Sequence, residues 1–469
     1  MTSWDRRSPA QLAAGQRRGV RTQVVDAVAP FSPWWRARLD DLGIAPDSAA
    51  TPEGLRRLPA AGERDVCPDG DPRGAAALVL QAGEGGYALH ADGPRLRKAL
   101  RRRLVRPGSY RAQVDADTRP SSYVWAGLGL RFPVASTRSD LDLVARAGAR
   151  LWQVLGLHSS DVVVAALPAG ERTALAQALE LGALAAGTPA LFTGAEGDQL
   201  ARALALLPAS VLVLPAGSAA RLLQEVHQAG ADLGAVSTVL LAGTPSAGER
   251  ADVEEVLGRT CRTDPAVLAV HVPDGHRLAW GECREGRAET GLHTYPDLEL
   301  LDVVDPESAA PAESEGGELV LTQLGLRGTA LLRWRTGDLV GAVETTACPA
   351  CRRTVPRVSG AAAGALVPEL ALRSGMRAVD LRAVAAAVAG RPDVQDWRAV
   401  VGRSGRDGCE ELLVLVAQRD GSDAADVAVG VARDVRAVAG LLPTQVVLLP
   451  RGGLPAAGRT ASGRLLLRH

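Results

Sequence analysis

The sequence predicts an α/β protein with a large N-terminal domain of parallel and mixed sheets, a β-rich part, and a small α+β C-terminal domain. Its 469 residues exceed the size at which a single hydrophobic core normally stops growing. Short apolar runs alternate with segments of helical spacing through the middle of the chain, and this alternation favours βαβ units. Beyond Glu299 the pattern changes to consecutive hairpins.

The elements follow in order from these patterns. The opening residues have helical spacing, with Trp4, Trp34 and Trp35 as apolar anchors. After a glycine-rich and then basic stretch, a helix is predicted for STRSDLDLVARAGARLWQVLG and another for TALAQALELGALAA. Short apolar runs, which predict buried parallel strands, are DVVVAALP, PALFTG, SVLVLP, VSTVLLAG and AVLAVHVP.

The C-terminal third predicts a β-rich part and then a separate unit. Hairpins are expected at ELELLDVVDP, GELVLTQL and TALLRWRTGDLVGAV. Helices are expected near Val379–Ala389 and over Ala424–Val438, with strands at DWRAVVG, ELLVLVAQ and QVVLLP. The Ala/Gly-rich Ser359–Leu366 is a plausible hinge. We therefore predict a large domain over 1–359, with a helical opening 1–64 and a β-rich part at about 295–358, and a small α+β domain over 360–469.

Composition excludes several classes of protein. Lys+Arg 53 equals Asp+Glu 53, so nothing in the net charge favours a nucleic-acid partner. At 46% hydrophobic residues the chain can build a large core, which excludes intrinsic disorder. The uncharged run Ala203–Ala220 contains prolines and serines and predicts a strand and a connection rather than a membrane span. The expectation is a cytoplasmic protein, because the start of the chain also lacks the apolar region of a secretory signal.

Several phrases occur in a defined order along nearly the whole chain. They are VVDAVAPFSPWWRARLDDLGIAPDSAATPEGLRRLP, STRSDL, GECREGRAETGLHTYPDLELLDVVDPES, GELVLTQL, LLRWRTGDL, CPACRRTVPRVSG and LPAAGRTASGRLLLRH. As a set they resemble the phenylacetate–CoA ligase family of AMP-binding, adenylate-forming enzymes.

The resemblance implies a two-step activity. ATP with Mg²⁺ would activate an aryl or short acyl carboxylate as an acyl-adenylate, and the acyl group would then pass to CoA. A carrier-protein thiol is an alternative acceptor, and a homodimer would be ordinary for the family. The resemblance also implies that the small C-terminal domain rotates between the two steps.

The resemblance assigns a nucleotide role to the RTGDL segment. Asp338 would accept hydrogen bonds from the ribose hydroxyls, for which a carboxylate is suited. Arg335 and Thr336 flank it and are candidates for nucleotide contacts or simply strand residues. His271 and His276 lie near the expected site in sequence, and we interpret both as loop or packing residues rather than general bases.

A phosphate-binding loop is harder to place. One candidate is the glycine-rich Gln81–Gly86, where Glu84 would repel phosphate. The other is SSYVWAGLGL, which offers Ser121, Ser122, Gly127 and Gly129. Neither stretch contains the lysine that the family has in this loop, and either could be an ordinary turn.

Other departures from the family pattern raise a second interpretation. The segment expected to hold a magnesium-binding glutamate has only Asp274, and Thr244 stands where the family has another glutamate. The family's terminal catalytic lysine aligns with Arg464, in a chain whose single lysine is Lys98. The alternative is therefore a catalytically degenerate member of the fold that acts as a binding, regulatory or scaffold protein.

Two pairs of residues form a candidate metal centre. Cys348 and Cys351 are a CxxC pair, whose spacing allows two thiolates to bind one tetrahedral ion. Cys283 and His293 lie in a neighbouring β region, and the resemblance implies that the two segments meet. Four ligands with no open position predict a structural zinc ion. The alternative is a reduced CxxC turn with an unrelated histidine.

Overall fold

The structure is a computed structural model, and every structural statement concerns the residues that it describes. These are 4–68, 71–81, 97, 101, 104–105, 115–127, 132–168, 173–261, 264–286, 290–306, 308–312, 316–360, 366–372, 375–380, 384, 387–388, 391–403, 410–419, 421–440, 442–450 and 465–467.

The chain opens with helices, as the sequence predicts. Helix α1 (Pro9–Gln23) begins at a capping box in which Ser8 and Gln11 exchange hydrogen bonds. It continues through a π-helical turn and a short helical turn to α2 (Pro33–Asp41), which is capped by Ser32. Four shorter helical turns follow at Pro46–Ala49, Pro52–Leu55, Glu63–Val66 and Pro72–Leu78.

A nine-stranded sheet forms the centre of the molecule. The strands are β3 (Val163–Ala166), β4 (Ala190–Thr193), β5 (Val211–Pro215), β6 (Thr238–Ala242), β7 (Ala266–His271), β8 (Trp280–Glu282), β9 (Leu292–His293), β13 (Ala342–Glu344) and β14 (Arg357–Ser359). Across the sheet they are ordered β13-β14-β9-β8-β7-β6-β5-β3-β4.

The five strands from β3 to β7 run parallel, so the βαβ prediction is confirmed. Beyond β7 the remaining pairs are antiparallel. Because parallel strands end at one edge of a sheet, the residues that follow β6 and β7 are brought side by side.

Helices connect the parallel strands and cover the sheet. They are α3 (Arg138–Leu155), α4 (Ala174–Ala186), α5 (Gly197–Leu206), α6 (Ala219–Gln228) and α7 (Ala247–Thr260). Helix α3 begins at the STRSDL segment, where Thr137 and Asp140 form a capping box. This segment is thus a helix start that also anchors the neighbouring loop, since Asp140 accepts the backbone N–H groups of Arg327 and Gly328.

Two smaller β units lie beside the central sheet. Strands β1 (Pro120–Ala126) and β2 (Phe132–Thr137) form an antiparallel hairpin. Strands β10 (Glu299–Val304), β11 (Gly317–Gln323) and β12 (Trp334–Val340) form an antiparallel sheet, as the hairpin patterns predict. Trp35 of α2 packs here and donates its indole N–H to the Ala330 carbonyl at 2.9 Å.

The C-terminal part contains a two-stranded and a four-stranded sheet with one long helix. The elements are β15 (Leu366–Leu372), β16 (Gly375–Asp380), β17 (Val394–Arg403), β18 (Glu410–Gln418), α8 (Ala424–Ala439), β19 (Gln445–Leu449) and β20 (Leu465–Leu467).

One boundary prediction in this part is wrong. The helix expected to start at Val379 does not include that residue, which pairs with Val367 in the β15–β16 ladder. Helical geometry is described only at Val384, Ala387 and Val388 in this region. The hinge residues 361–365 lie outside the described residues. Among the helices described, none is long and apolar enough to cross a membrane.

Candidate functional site

The predicted ribose-binding carboxylate lies against the end of β7. Asp338 of β12 and His271, the last residue of β7, are joined by a 2.7 Å contact between Oδ2 and Nε2, and both side chains are buried. Thr336 accepts the backbone N–H of Asp338 and donates its hydroxyl to the Leu319 carbonyl. The imidazole therefore fixes the orientation of the carboxylate. The Thr336 hydroxyl links β12, which carries Asp338, to β11.

Arg335 has a structural partner. Its guanidinium binds the buried Glu318 of β11, with Nε 2.8 Å from Oε2, and also donates to the Pro306 carbonyl. Burial raises the pKa of Glu318, and the charge of Arg335 opposes that rise. Arg335 therefore ties β12 to β11, and a nucleotide contact from it stays a prediction.

The turn of the β1–β2 hairpin meets the loop that follows β7. The backbone N–H of Gly127 donates to the Asp274 carboxylate, 2.9 Å from Oδ1 and 3.1 Å from Oδ2. Gly127 has φ +97°, a conformation that favours glycine. Sequence reasoning missed this contact, because the two residues are 147 positions apart.

The two predicted serines lie farther from that turn. Both belong to strand β1; Ser122 accepts a hydrogen bond from Gln177 of α4, and Ser121 donates to the Arg119 carbonyl. The Ser122 hydroxyl thus links the hairpin to α4, and the Ser121 hydroxyl makes a local contact within its own segment. Gly129 and Arg464 lie outside the described residues, as do residues 82–86 of the other candidate loop.

The loop after β7 is anchored at its other end by a second buried pair. His276 Nε2 is 2.7 Å from Glu299 Oε2, and the same oxygen accepts the indole N–H of Trp280. Gly275 has φ +74°, and a Cβ there would lie 2.9 Å from Trp334 Nε1. His271 at the end of β7 and His276 in the loop therefore each have a buried carboxylate partner.

A buried ion pair lies directly after this loop. Arg277 has no solvent exposure; it contacts Asp140 at 3.1 Å, and its other donors reach Gln323 and the Thr329 carbonyl. Burial lowers the pKa of Arg277, and the carboxylate of Asp140 opposes this. The arrangement joins the start of α3 to the loop after β7 through hydrogen bonds that no spacing pattern in the sequence indicated.

The four predicted metal ligands meet in one buried cluster. The ligand atoms of Cys283, His293, Cys348 and Cys351 all lie within 4.8 Å of one another. Cys283 Sγ is 3.9 Å from Cys348 Sγ, and His293 Nε2 is 3.2 Å from Cys351 Sγ. The residue types and the family resemblance indicated these candidates, and the antiparallel pairing of β8, β9 and β14 brings the segments together.

The CxxC turn has the geometry of a two-thiolate clamp. The Cys348 carbonyl accepts the N–H of Arg352, and the Cys348 N–H donates to the Arg353 carbonyl. Arg352 has φ +63°, which is uncommon for a residue with a side chain. The backbone therefore forms a closed turn at the cysteine pair, and the Cys348 and Cys351 sulfurs lie within 4.8 Å of each other.

The pKa values of the Cys283 and Cys351 thiols are shifted in opposite directions. A hydrogen bond from Cys283, together with contacts from His293 and Arg353, lowers the pKa of Cys351. The hydrogen bond to Cys351 and burial raise the pKa of Cys283. Three sulfurs and one imidazole nitrogen are the donor set that tetrahedral zinc takes in closed structural sites, and a hard cation such as Mg²⁺ would require oxygen ligands.

Comparison with solved structures identifies the architecture. The chain superposes on 2-hydroxyisobutyryl-CoA ligase in its postadenylation state with R3-HIB-AMP, with TM-score 0.65 and 16% identity, over 99% of this chain and 91% of the other. An open conformation of the same ligase with 2-HIB-AMP and CoA gives TM-score 0.61 and 16% identity, over 99% and 93%. The chain has the adenylate-forming fold.

No family model matches the chain, and no curated protein matches it. The adenylate-forming fold is thus shared with chains that retain few of the same residues. What the site does must accordingly be argued from the residues that line it.

Proposed function

We propose that this chain is an AMP-forming acid–thiol ligase, similar to the phenylacetate–CoA ligases. It would activate an aryl or short acyl carboxylate with ATP and transfer the acyl group to CoA. The observation that carries the proposal is the meeting of three separate segments at the end of β7. The hairpin turn at Gly127, the loop containing Asp274 and the strand containing Asp338 adjoin one another there.

Each group in this arrangement has a chemical role in the proposed reaction. The Asp338 carboxylate suits two ribose hydroxyl donors, and His271 keeps it oriented. The Gly127 backbone N–H is of the kind that binds phosphate oxygens. The acid's carboxylate would attack the α-phosphorus and release pyrophosphate, and the thiol would then displace AMP from the acyl-adenylate. The small domain over 360–469 would close on the large domain between these steps.

We further propose that Cys283, His293, Cys348 and Cys351 hold a structural zinc ion. The donor set is closed, and all four side chains are buried, which leaves no position for substrate. The Arg353 side chain next to the cluster binds Asp5 and the Gln153 carbonyl. The ion would therefore stabilise the junction of β8, β9 and the N-terminal segment and take no part in the reaction.

Release of pyrophosphate tests the ligase proposal. The purified protein is incubated with ATP, Mg²⁺ and CoA, and with a panel of aryl and short acyl carboxylic acids. At least one acid should raise pyrophosphate release above the acid-free rate, and Asp338→Asn should lower that rate by about tenfold or more through loss of the ribose contact. A panel with no acid-dependent release in the wild-type protein would contradict the ligase proposal.

The second candidate is a non-catalytic member of the fold that binds an adenylate or a protein partner. The observation in its favour is that a carboxylate already accepts the Gly127 N–H. Arg464 in place of the family's lysine agrees with it. In that case AMP would bind and no acid in the panel would release pyrophosphate.

A further inference from the structure

The Arg277 guanidinium lies at the junction of four separate segments. Its Nη1 donates to the Ala135 carbonyl of β2 and to the carboxylate of Asp140, 3.1 Å away in the first turn of α3. Its Nη2 donates to Gln323 at the end of β11, at 2.9 Å, and to the Thr329 carbonyl in the loop before β12, at 2.6 Å. The side chain is fully buried, and a planar group with several fixed donors can satisfy all of these acceptors at once.

The β1–β2 hairpin is attached to the rest of the molecule at the same place. Ala135 of β2 accepts the backbone N–H of Thr329 and donates its own N–H to the Thr329 hydroxyl, both at 2.9 Å. Arg277 binds the carbonyl groups of both residues. Gly127 directly follows β1, which pairs with β2, so the position of its backbone N–H depends on how the hairpin is attached.

The ribose-binding end of the proposed site is held by other side chains. Asp338 contacts His271 at 2.7 Å, and Arg335 joins β12 to Glu318 of β11. We infer that Arg277 is a positioning residue that sets the hairpin turn, the phosphate-binding end of the site, relative to the ribose-binding end. The inference rests on the proposed nucleotide site and adds to it the residue that brings its two ends together.

The substitution Arg277→Lys separates the charge from the set of hydrogen bonds. Lysine keeps a positive charge opposite Asp140, but its single nitrogen cannot also reach β2, β11 and the loop before β12. The matched control is Arg250→Lys in α7. Arg250 likewise binds a carboxylate, that of Glu282 at 2.9 Å, and a backbone carbonyl, that of Val267 at 2.7 Å. Val267 lies near the amino end of β7, whereas the candidate site lies at its carboxyl end.

Adenosine and AMP are titrated calorimetrically into the full chain. Arg277→Lys should bind AMP about tenfold more weakly than the wild-type protein and adenosine less than about twofold more weakly, because only the phosphate end is displaced. Arg250→Lys should match the wild-type protein with both ligands. If thermal unfolding shows that Arg277→Lys does not fold, Gln323→Met replaces it, since this change removes one Arg277 acceptor and should give the same difference. An unchanged ratio of AMP to adenosine affinity in the folded variant would overturn the inference.

Hydrogen exchange without ligand separates the inference from the function on which it rests. Backbone amides of β1 and β2 should exchange faster in Arg277→Lys than in the wild-type protein, while those of β17 and β18 should be unchanged. Faster hairpin exchange in the variant without AMP binding by the wild-type protein would support the positioning role of Arg277 and contradict the nucleotide site. AMP binding by the wild-type protein with unchanged hairpin exchange in Arg277→Lys would do the reverse.

Discussion

Two buried carboxylates around the candidate site each contact a ring nitrogen of a histidine or tryptophan side chain. Asp338 contacts His271, and Glu299 contacts His276 and also accepts the indole N–H of Trp280. An unpaired buried charge costs several kcal/mol, about 3–5 kcal/mol where one partner of a pair is removed. The pairs therefore allow the chain to keep ionisable groups beneath the site, and they also fix the positions of those groups.

The metal cluster gives a prediction at the same scale. The wild-type protein, purified without chelator, should contain about one equivalent of zinc, because the four donors match a closed tetrahedral site. The double variant Cys348→Ser, Cys351→Ser should lose the zinc and unfold at a lower temperature, because metal binding contributes to folding. Zinc is measured by elemental analysis and stability by thermal unfolding.

A control for that experiment comes from another thiol. Cys261 is half-buried and lies outside the cluster, so Cys261→Ser should retain the zinc and the wild-type unfolding temperature. Less than about half an equivalent of zinc in the wild-type protein, or undiminished zinc in the double variant, would contradict the structural zinc site.

At the scale of secondary-structure elements, helices α3 and α4 cross at two glycines. Gly148 of α3 faces Gly182 of α4, and a Cβ added at Gly148 would lie 2.4 Å from the Gly182 Cα. A Cβ added at Gly182 would lie 2.9 Å from both the Gly148 Cα and an atom of the Trp152 ring. The backbones touch at this point, so α4 can pack closely on the helix that carries the loop-anchoring Asp140.

Substitution of one of these glycines should separate the helices. Gly148→Ala is expected to lower the free energy of unfolding by about 1–3 kcal/mol, because the added methyl overpacks a backbone contact that cannot yield. The matched control is Gly258→Ala in α7, where nothing lies within 4 Å of the added Cβ. It should raise stability by up to about 1 kcal/mol through helix propensity. Chemical denaturation measures both, and equal stability of the two variants would contradict the close crossing.

Across the whole molecule, local patterns predicted the parallel strands β3 to β7, the hairpins after Glu299 and the strands β17 to β19. The strands from β3 to β7 are short apolar runs between helices, and their parallel pairing follows from that alternation. The helix predicted from Val379 failed at its start because pairing with Val367 overrides a local helical spacing. Strand β20 was not predicted, because a run of three leucines is too short to indicate a strand by itself. Its strand conformation depends on parallel pairing with the distant β17.

The candidate site was predictable only in part. Asp338 and the four metal-binding candidates were found because their residue types and phrases are distinctive. The partners of Asp338 and Gly127 could not be found, because the contacts join residues 67 and 147 positions apart. Such pairings depend on which loops follow neighbouring strands of the sheet, and a single sequence carries no spacing rule for them.

If Asp338 and the adjoining loops form a nucleotide site, AMP should bind there, and calorimetric titration with AMP tests this most directly. AMP should bind with a micromolar to low-millimolar Kd, and Asp338→Asn should weaken binding by about tenfold or more. The control Asp161→Asn changes a carboxylate at the amino end of β3, where it binds Ser210, and should leave AMP affinity unchanged. Absence of binding heat and of thermal stabilisation by AMP, or equal affinity in the wild-type protein and Asp338→Asn, would contradict the claim.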